Sequence, residues 1–201
     1  MSLLGFKYKD LIEAGCDEAG RGCLAGPVVA AAVILPHNFK CKELDDSKKI
    51  SEKLRNDLRK KIEDKAIDFA IGIVEAEDID KINILNASFL AMHRALAQLK
   101  TPFNHILVDG NRFKKYHEIT HDCIIKGDGK FKSIAAASIL AKTERDKIME
   151  DLHLEYPQYN WAQNKAYPSV QHRQAIKEFG VTPHHRKSFK LYPQPIQLKL
   201  F

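Results

Sequence analysis

Two acids stand side by side at Asp17 and Glu18, inside AGCDEAGRGCLAGPVVAAAVIL, residues 14 to 35. Small and apolar residues enclose them. A buried carboxylate left unpaired is costly, so such groups are normally neutralised by a cation or a metal. Two more acids fall in comparable places: Asp109 ends the apolar run HILVDG, and Asp128 lies between two glycines in IIKGDGK. Side chains alternate along a strand, so Asp17 and Glu18 point to opposite faces unless the backbone bends. Gly20 and Gly22 are expected to supply that bend. Four carboxylates without a convergent Cys or His suit hard cations such as Mg²⁺ or Mn²⁺. Two such ions, roughly 3.5–4 Å apart, clamp a phosphodiester for in-line attack. The plain alternative for Asp109 or Asp128 taken singly is a turn aspartate, since Asp-Gly is a common turn pair.

Something must carry these acids to one place. Apolar and period-two runs predict strands over 11–17, 27–35, 66–75, 105–109 and 122–125. SEKLRNDLRKKIEDKA opens with a Ser N-cap and reads as an exposed amphipathic helix. NASFLAMHRALAQLK is a second helix, with Pro102 just past its end, and KSIAAASILAKTERDKIMEDLHLEY is a third, ending before Pro157. Strands and helices in this order suit an α/β sheet layered with helices. Acids at the ends of several strands are where an open α/β sheet places its active site. From about Trp161 the chain turns polar, basic and His-rich, which predicts a C-terminal subdomain rather than a second core.

The composition is compatible with one sizeable domain. The chain has 201 residues, 44% hydrophobic and 29% charged, ordinary values for a globular protein. Its net charge of +6 favours a polyanionic partner only modestly. Cys16, Cys23, Cys41 and Cys123 form no C-x-x-C pair, which fits reduced thiols in a cytoplasmic protein. No apolar run approaches a membrane span and the N-terminus lacks a signal-peptide layout. A monomer is the default expectation.

The motifs CDEAGRGCLAGPVV, DDSKKIS, INILNASFLAM, ILVDG, IKGDGKFKSIAAASILAKTERD and NKAYPSVQHRQAI occur in one order along residues 12–189. In that order they resemble ribonuclease HII, the type 2 ribonucleases H. The resemblance implies a ribonuclease-H-like fold, a mixed five-stranded sheet flanked by helices with a small helical C-terminal part. It implies a catalytic domain over 1–160, a basic substrate-binding subdomain over 161–192 and a tail over 193–201. It implies hydrolysis of the RNA strand of RNA–DNA hybrids and nicking 5′ of ribonucleotides embedded in duplex DNA, hence a place in ribonucleotide excision repair and DNA replication. The family's catalytic, metal-binding quartet maps onto Asp17, Glu18, Asp109 and Asp128, with two divalent ions, Mg²⁺ or Mn²⁺, and products carrying 5′-phosphate and 3′-hydroxyl ends. Gly20, Arg21 and Gly22 resemble the element that senses the ribose 2′-hydroxyl, the group that separates RNA from DNA. Tyr167 matches the tyrosine that packs on the deoxyribose after the ribonucleotide. Where the family usually has Gly-Tyr-Gly-Thr, this chain has Ala166-Tyr167-Pro168-Ser169, a stiffer loop. Asp45 stands where Asn is more usual.

On the third helix, Ser138, Lys142 and Arg145 share one face, while Ala137, Ala141, Ile148 and Leu152 share another that reads as core. The first face is placed to meet a phosphate backbone; the alternative is a solvated face with Lys142 paired to an acid. The resemblance makes Ser138, Lys142 and Lys48 substrate contacts. His184, His185 and Arg186, and His172 with Arg173, are expected at the surface or on phosphate. Trp161 is expected in the subdomain core, and Phe39, Phe69 and Phe89 in packing. The C-terminal QLKLF resembles the short peptide by which bacterial replication and repair proteins bind the sliding clamp. Gln197, Leu198, Leu200 and Phe201 are then clamp-binding residues, and a tail folded back on its own domain is the alternative. Two other functions stay in view: a superfamily nuclease indifferent to the 2′-hydroxyl, and a non-catalytic nucleic-acid-binding module.

Overall fold

A computed structural model describes residues 3–44 and 50–192. Lys48, Asp45 and the tail residues Gln197, Leu198, Leu200 and Phe201 lie outside the described residues. Five strands form one sheet in the order β3-β2-β1-β4-β5. They are β1 (Glu13–Ala19), β2 (Val28–Ile34), β3 (Asp68–Val74), β4 (His105–Asp109) and β5 (Thr120–Ile124). β1, β2 and β3 are antiparallel neighbours, while β4 and β5 run parallel to β1. The sheet is therefore mixed. The first strand starts and ends two residues later than its apolar run predicts, so Asp17 and Glu18 lie inside β1, paired with Ala31 and Ala30 of β2.

Helices cover both faces. On one face, α3 (Ile84–Leu96) packs Ala87, Ala91, Met92 and Ala95 against Cys16, Ala30, Ala32 and Val108. On the other, α1 (Glu52–Lys65) and α4 (Lys132–Glu155) pack against Ala31 and Val33. The small residues of β2 allow that sandwich, since a strand buried on both faces needs apolar side chains on every position. Gly15 allows α4 to lie directly on β1: an added Cβ would come within 2.3 Å of the Ser133 carbonyl carbon. Ser51 caps α1, its hydroxyl accepting from the Leu54 amide, as the Ser-led motif predicts. Asn83 caps α3 through the Leu85 and Asn86 amides, which starts that helix two residues before the expected NAS.

Residues after α4 build a third cluster. A four-residue helix, α5 (Trp161–Asn164), and α6 (Val170–Phe179) enclose Trp161, Tyr159, Ala175 and Ile176 together with Cys23, Leu24 and Met149. Trp161 is fully buried, as expected. The short helix α2 (Ala76–Ile82) carries no signal among the predicted elements. Among the described residues no helix is long and apolar enough to cross a membrane.

Candidate active site

The carboxyl ends of β1 and β4 open into a cleft of about 300 Å³. Asp17, Glu18, Gly20, Arg21, Gly22, Asp109, Ser138, Lys142 and Tyr167 line it. All nine carry a role expected from the sequence, and Ala19 lines the cleft beside them. Asp17 is 6% exposed. Burial first, then the nearby Glu18 and Asp109 carboxylates, push its carboxyl well above the usual range. Hydrogen bonds from Ser138 and from the Glu18 amide, 2.7 Å from Asp17 Oδ1, oppose that shift. Glu18 is held by the Arg21 guanidinium at 3.1 Å.

Asp128 is placed differently. It sits in a single 3₁₀ turn, Gly127–Gly129, just before α4, and is as buried as Asp17. Its Oδ1 accepts from the Gly129 amide, and it is not among the residues lining the cleft. The turn is tied to the site nonetheless, because the Gly127 amide donates to Asp109 Oδ1 at 2.7 Å. Among the described residues no three His, Cys, Asp or Glu side chains form a ready metal cage. The donor set still fits a hard divalent ion. All its donors are oxygens, and buried Asp17 faces two like charges that a cation would relieve.

The loop between β1 and β2 carries the Gly-Arg-Gly element. Gly20 has φ +95°, and a Cβ there would fall 2.1 Å from Arg145 Nε. Only glycine fits. Gly22 differs from expectation: its φ is not left-handed, and an added Cβ meets nothing within 4 Å. The bend comes from Gly20, and Gly22 leaves an open approach to the backbone.

Two guanidiniums hold this loop from below. Arg145 donates to the carbonyls of Ala25, Pro27 and Lys165. Arg186 donates to those of Arg21, Gly26 and Pro27. Both arginines are essentially unexposed. Burial, with Arg145 nearby, pushes Arg186 down to about 10. Arg145 therefore does not meet a phosphate backbone. It shares the helix face of Ser138 as predicted, but the Gly-Arg-Gly loop covers that end of the face. Lys142 both lines the cleft and pairs with Asp146 at 2.5 Å.

Of the three histidines expected at the surface, His184 is half-buried and the other two are inside. His172 and His185 are buried against Trp161 and Tyr159. The Thr182 amide donates to His185 Nδ1 at 2.9 Å, so the ring hydrogen sits on Nε2. That N–H faces His172 Nε2 at 3.3 Å, which also accepts from the Trp161 indole at 3.0 Å. His172 therefore carries its hydrogen on Nδ1, where it donates to the Tyr167 carbonyl at 3.1 Å. The cue for this network was missing because a polar, His-rich stretch looks the same whether its rings face water or each other.

Tyr167 itself is 44% exposed at the rim of the cleft. The two residues before it, Lys165 and Ala166, both adopt left-handed backbone, with φ +47° and +62°. The departure from glycine at Ala166 is thus a point of strain, on the order of 1 kcal/mol. Beyond Pro168, Ser169 lies in extended backbone and caps α6 through the His172 amide.

The family model described as Ribonuclease HII matches residues 14–192. A curated Ribonuclease HII of Parabacteroides distasonis is 61% identical, covering 98% of this chain and 98% of that one. That of Porphyromonas gingivalis is 58% identical over 90% of each. The crystal structure of ribonuclease H2 from Pyrococcus horikoshii superposes with a TM-score of 0.73 at 27% identity, covering 89% of this chain and 94% of its own.

Proposed function

The chain belongs to the ribonuclease HII family and is a nuclease of the ribonuclease H kind, and we propose that it nicks duplexes on the 5′ side of ribonucleotides. Its substrates on this reading are the RNA strand of RNA–DNA hybrids and single ribonucleotides embedded in DNA. The observation that carries the proposal is one cleft. It holds Asp17, Glu18 and Asp109 together with the Gly-Arg-Gly loop and Tyr167. A nuclease indifferent to the sugar needs the acids but neither of the other two parts. A binding module gains nothing from three carboxylates beside a phosphate.

Asp17, Glu18, Asp109 and Asp128 would hold two Mg²⁺ or Mn²⁺ ions, which supply electrophilic activation of the scissile phosphate for in-line attack by water. Ser138 keeps Asp17 oriented toward the cleft. The backbone of Gly20, Arg21 and Gly22 reads the ribose 2′-hydroxyl, and the open space at Gly22 lets the sugar approach. Tyr167 packs on the next deoxyribose. Lys142 and Lys48 contact the backbone, adding affinity and salt dependence without sequence preference. The protein works as a cytoplasmic monomer, with residues 161–192 as its substrate-binding subdomain. Its tail, through Gln197, Leu198, Leu200 and Phe201, docks on the sliding clamp. Deleting residues 197–201 then leaves hydrolysis intact and abolishes clamp binding; unchanged clamp binding rejects that docking.

The deciding assay is cleavage of a labelled DNA duplex with one ribonucleotide, run with Mg²⁺, with Mn²⁺ and with chelator. A metal-dependent nick 5′ of the ribonucleotide is expected. It should fall by about 10²-fold or more in Asp17→Asn and weaken in Tyr167→Ala. Cutting that ignores the ribonucleotide overturns the 2′-hydroxyl reading, and binding without cutting in either metal overturns the nuclease.

A further inference from the structure

Beyond Asp109 the chain turns at Gly110 and runs past Asn111, Arg112, Phe113 and Lys114. Here two adjoining clefts of about 560 and 520 Å³ open between this segment and α3. They share Asn86, Phe89 and Lys114, so they form one groove. Its floor is aromatic: Phe113 meets the rings of Phe89, His93 and His121 edge to face. Its rim is basic, with Lys81, Arg112 and Lys114. Among the described residues, not one acid lines either cleft. Lys81 is paired with Glu77 outside the groove, whereas Arg112 and Lys114 are exposed and make no side-chain ion pair among the described residues. The segment is held in place before any ligand arrives. His93 Nε2 lies 2.8 Å from the Lys114 carbonyl, and since a carbonyl only accepts, the ring hydrogen is on Nε2.

We propose that this groove takes the sugar–phosphate backbone of the uncut strand. The inference rests on the functional reading above and extends it from the cut strand to its partner. The active cleft lies beside α4, on one side of the sheet, and the groove lies beside α3, on the other. Only Gly110 and Asn111 separate Asp109 from Arg112. A duplex with its cut strand on Asp17 and Asp109 presents its second backbone across one groove, on the order of 6–12 Å away. Free cations meet the phosphates there, while the Phe113 and His121 ring edges offer apolar contact to sugars. Such contacts fix the register of the duplex and carry no base information. The absence of acids matters because the active cleft beside it is rich in them; a phosphate backbone is steered around that negative site by a positive one.

The test is duplex binding by the full-length protein in chelator, followed by fluorescence anisotropy over a range of salt. The duplex carries one ribonucleotide, and neutral methylphosphonates replace phosphates in either the cut or the uncut strand. Arg112→Ala with Lys114→Ala should weaken binding and make the plot of log affinity against log salt shallower by about 2. Lys115→Ala, an exposed lysine paired with Glu118 outside the groove, should leave that slope unchanged. Methylphosphonates in the uncut strand should weaken binding by the wild type, and by the double variant no further than the substitutions already do. An unchanged slope in the double variant, or equal sensitivity to neutralisation of either strand, overturns the groove while leaving nicking intact. Binding with the expected slope change but no metal-dependent nick overturns the functional reading and leaves the groove. No duplex binding at all overturns both.

Discussion

A methyl group on Gly20 would meet the Arg145 side chain at 2.1 Å, on backbone with φ +95°. The same methyl on Gly22 would meet nothing within 4 Å. The two glycines therefore separate folding from recognition. Gly20→Ala should cost roughly 2–4 kcal/mol, combining a left-handed alanine with overpacking. Its Tm should drop by about 5–15 °C. Gly22→Ala should stay within about 0.5 kcal/mol of wild type, yet cut the preference for a ribonucleotide over a deoxyribonucleotide at the same position. Thermal melts beside the cleavage assay check both, and equal Tm losses in the two variants would contradict the separation. At this scale the sequence was informative where chemistry and context clash. Carboxylates inside an apolar strand marked Asp17 and Glu18. It was nearly silent where the deciding fact is a dihedral angle: the alanine at 166 does not announce φ +62°, and only the glycine usual at that place in the family hints at it.

The loop, the helix and the C-terminal segment behave as one unit because buried groups cross between them. Arg186 reaches three carbonyls of the β1–β2 loop, and the Leu24 amide donates to the Ala166 carbonyl beside Tyr167. A lysine at 186 offers one compact ammonium where a planar fork is needed. Arg186→Lys should strand carbonyls at about 1–3 kcal/mol each and raise KM for ribonucleotide duplexes, measured by denaturation and steady-state kinetics. Unchanged KM would reduce the arginine to a role in stability alone. The histidine pair gives the unit a pH dependence. Burial, His172 and His184 push His185 down to about 4, against about 6.5 in an unfolded chain. Between those values the unfolded chain takes up a proton that the folded chain refuses. Stability is thus full above about pH 6.5 and falls as pH drops toward 4. His172, lowered by burial, acts in the same direction. Melts from pH 7 to 4.5 should show falling Tm in wild type and a shallower fall in His185→Gln; parallel curves would discard His185 as the source. The long elements were legible because their apolar periods repeat over many residues. The sandwich of β2 followed from its Val and Ala run. The seven residues of α2 and the buried histidines were not, since short helices and polar cores depend on what packs over them.

Across the whole molecule, charge is divided by position. The chain carries a net +6, yet the carboxylates gather at the ends of β1 and β4 and cations rim the groove beside them. Without metal, the fold confines Asp17, Glu18 and Asp109 near one another, and Asp17 bears the cost through burial and repulsion. That cost is part of the folding free energy, so the site should be a weak point of the metal-free protein. Removing one charge relieves it: Asp17→Asn should melt higher than wild type in chelator while losing nicking activity. A divalent ion relieves it differently, by binding the folded state alone. At 100 times its dissociation constant an ion adds about 2.7 kcal/mol, so Mg²⁺ or Mn²⁺ should raise the Tm of the wild type. The same titration should barely move Asp17→Asn, which has lost both a ligand and much of the repulsion. Scanning calorimetry of the two proteins, each in chelator and in excess metal, reads all four states. If metal stabilised both proteins equally, the ions would be acting elsewhere on the surface, and the assignment of Asp17 as a metal ligand would fall.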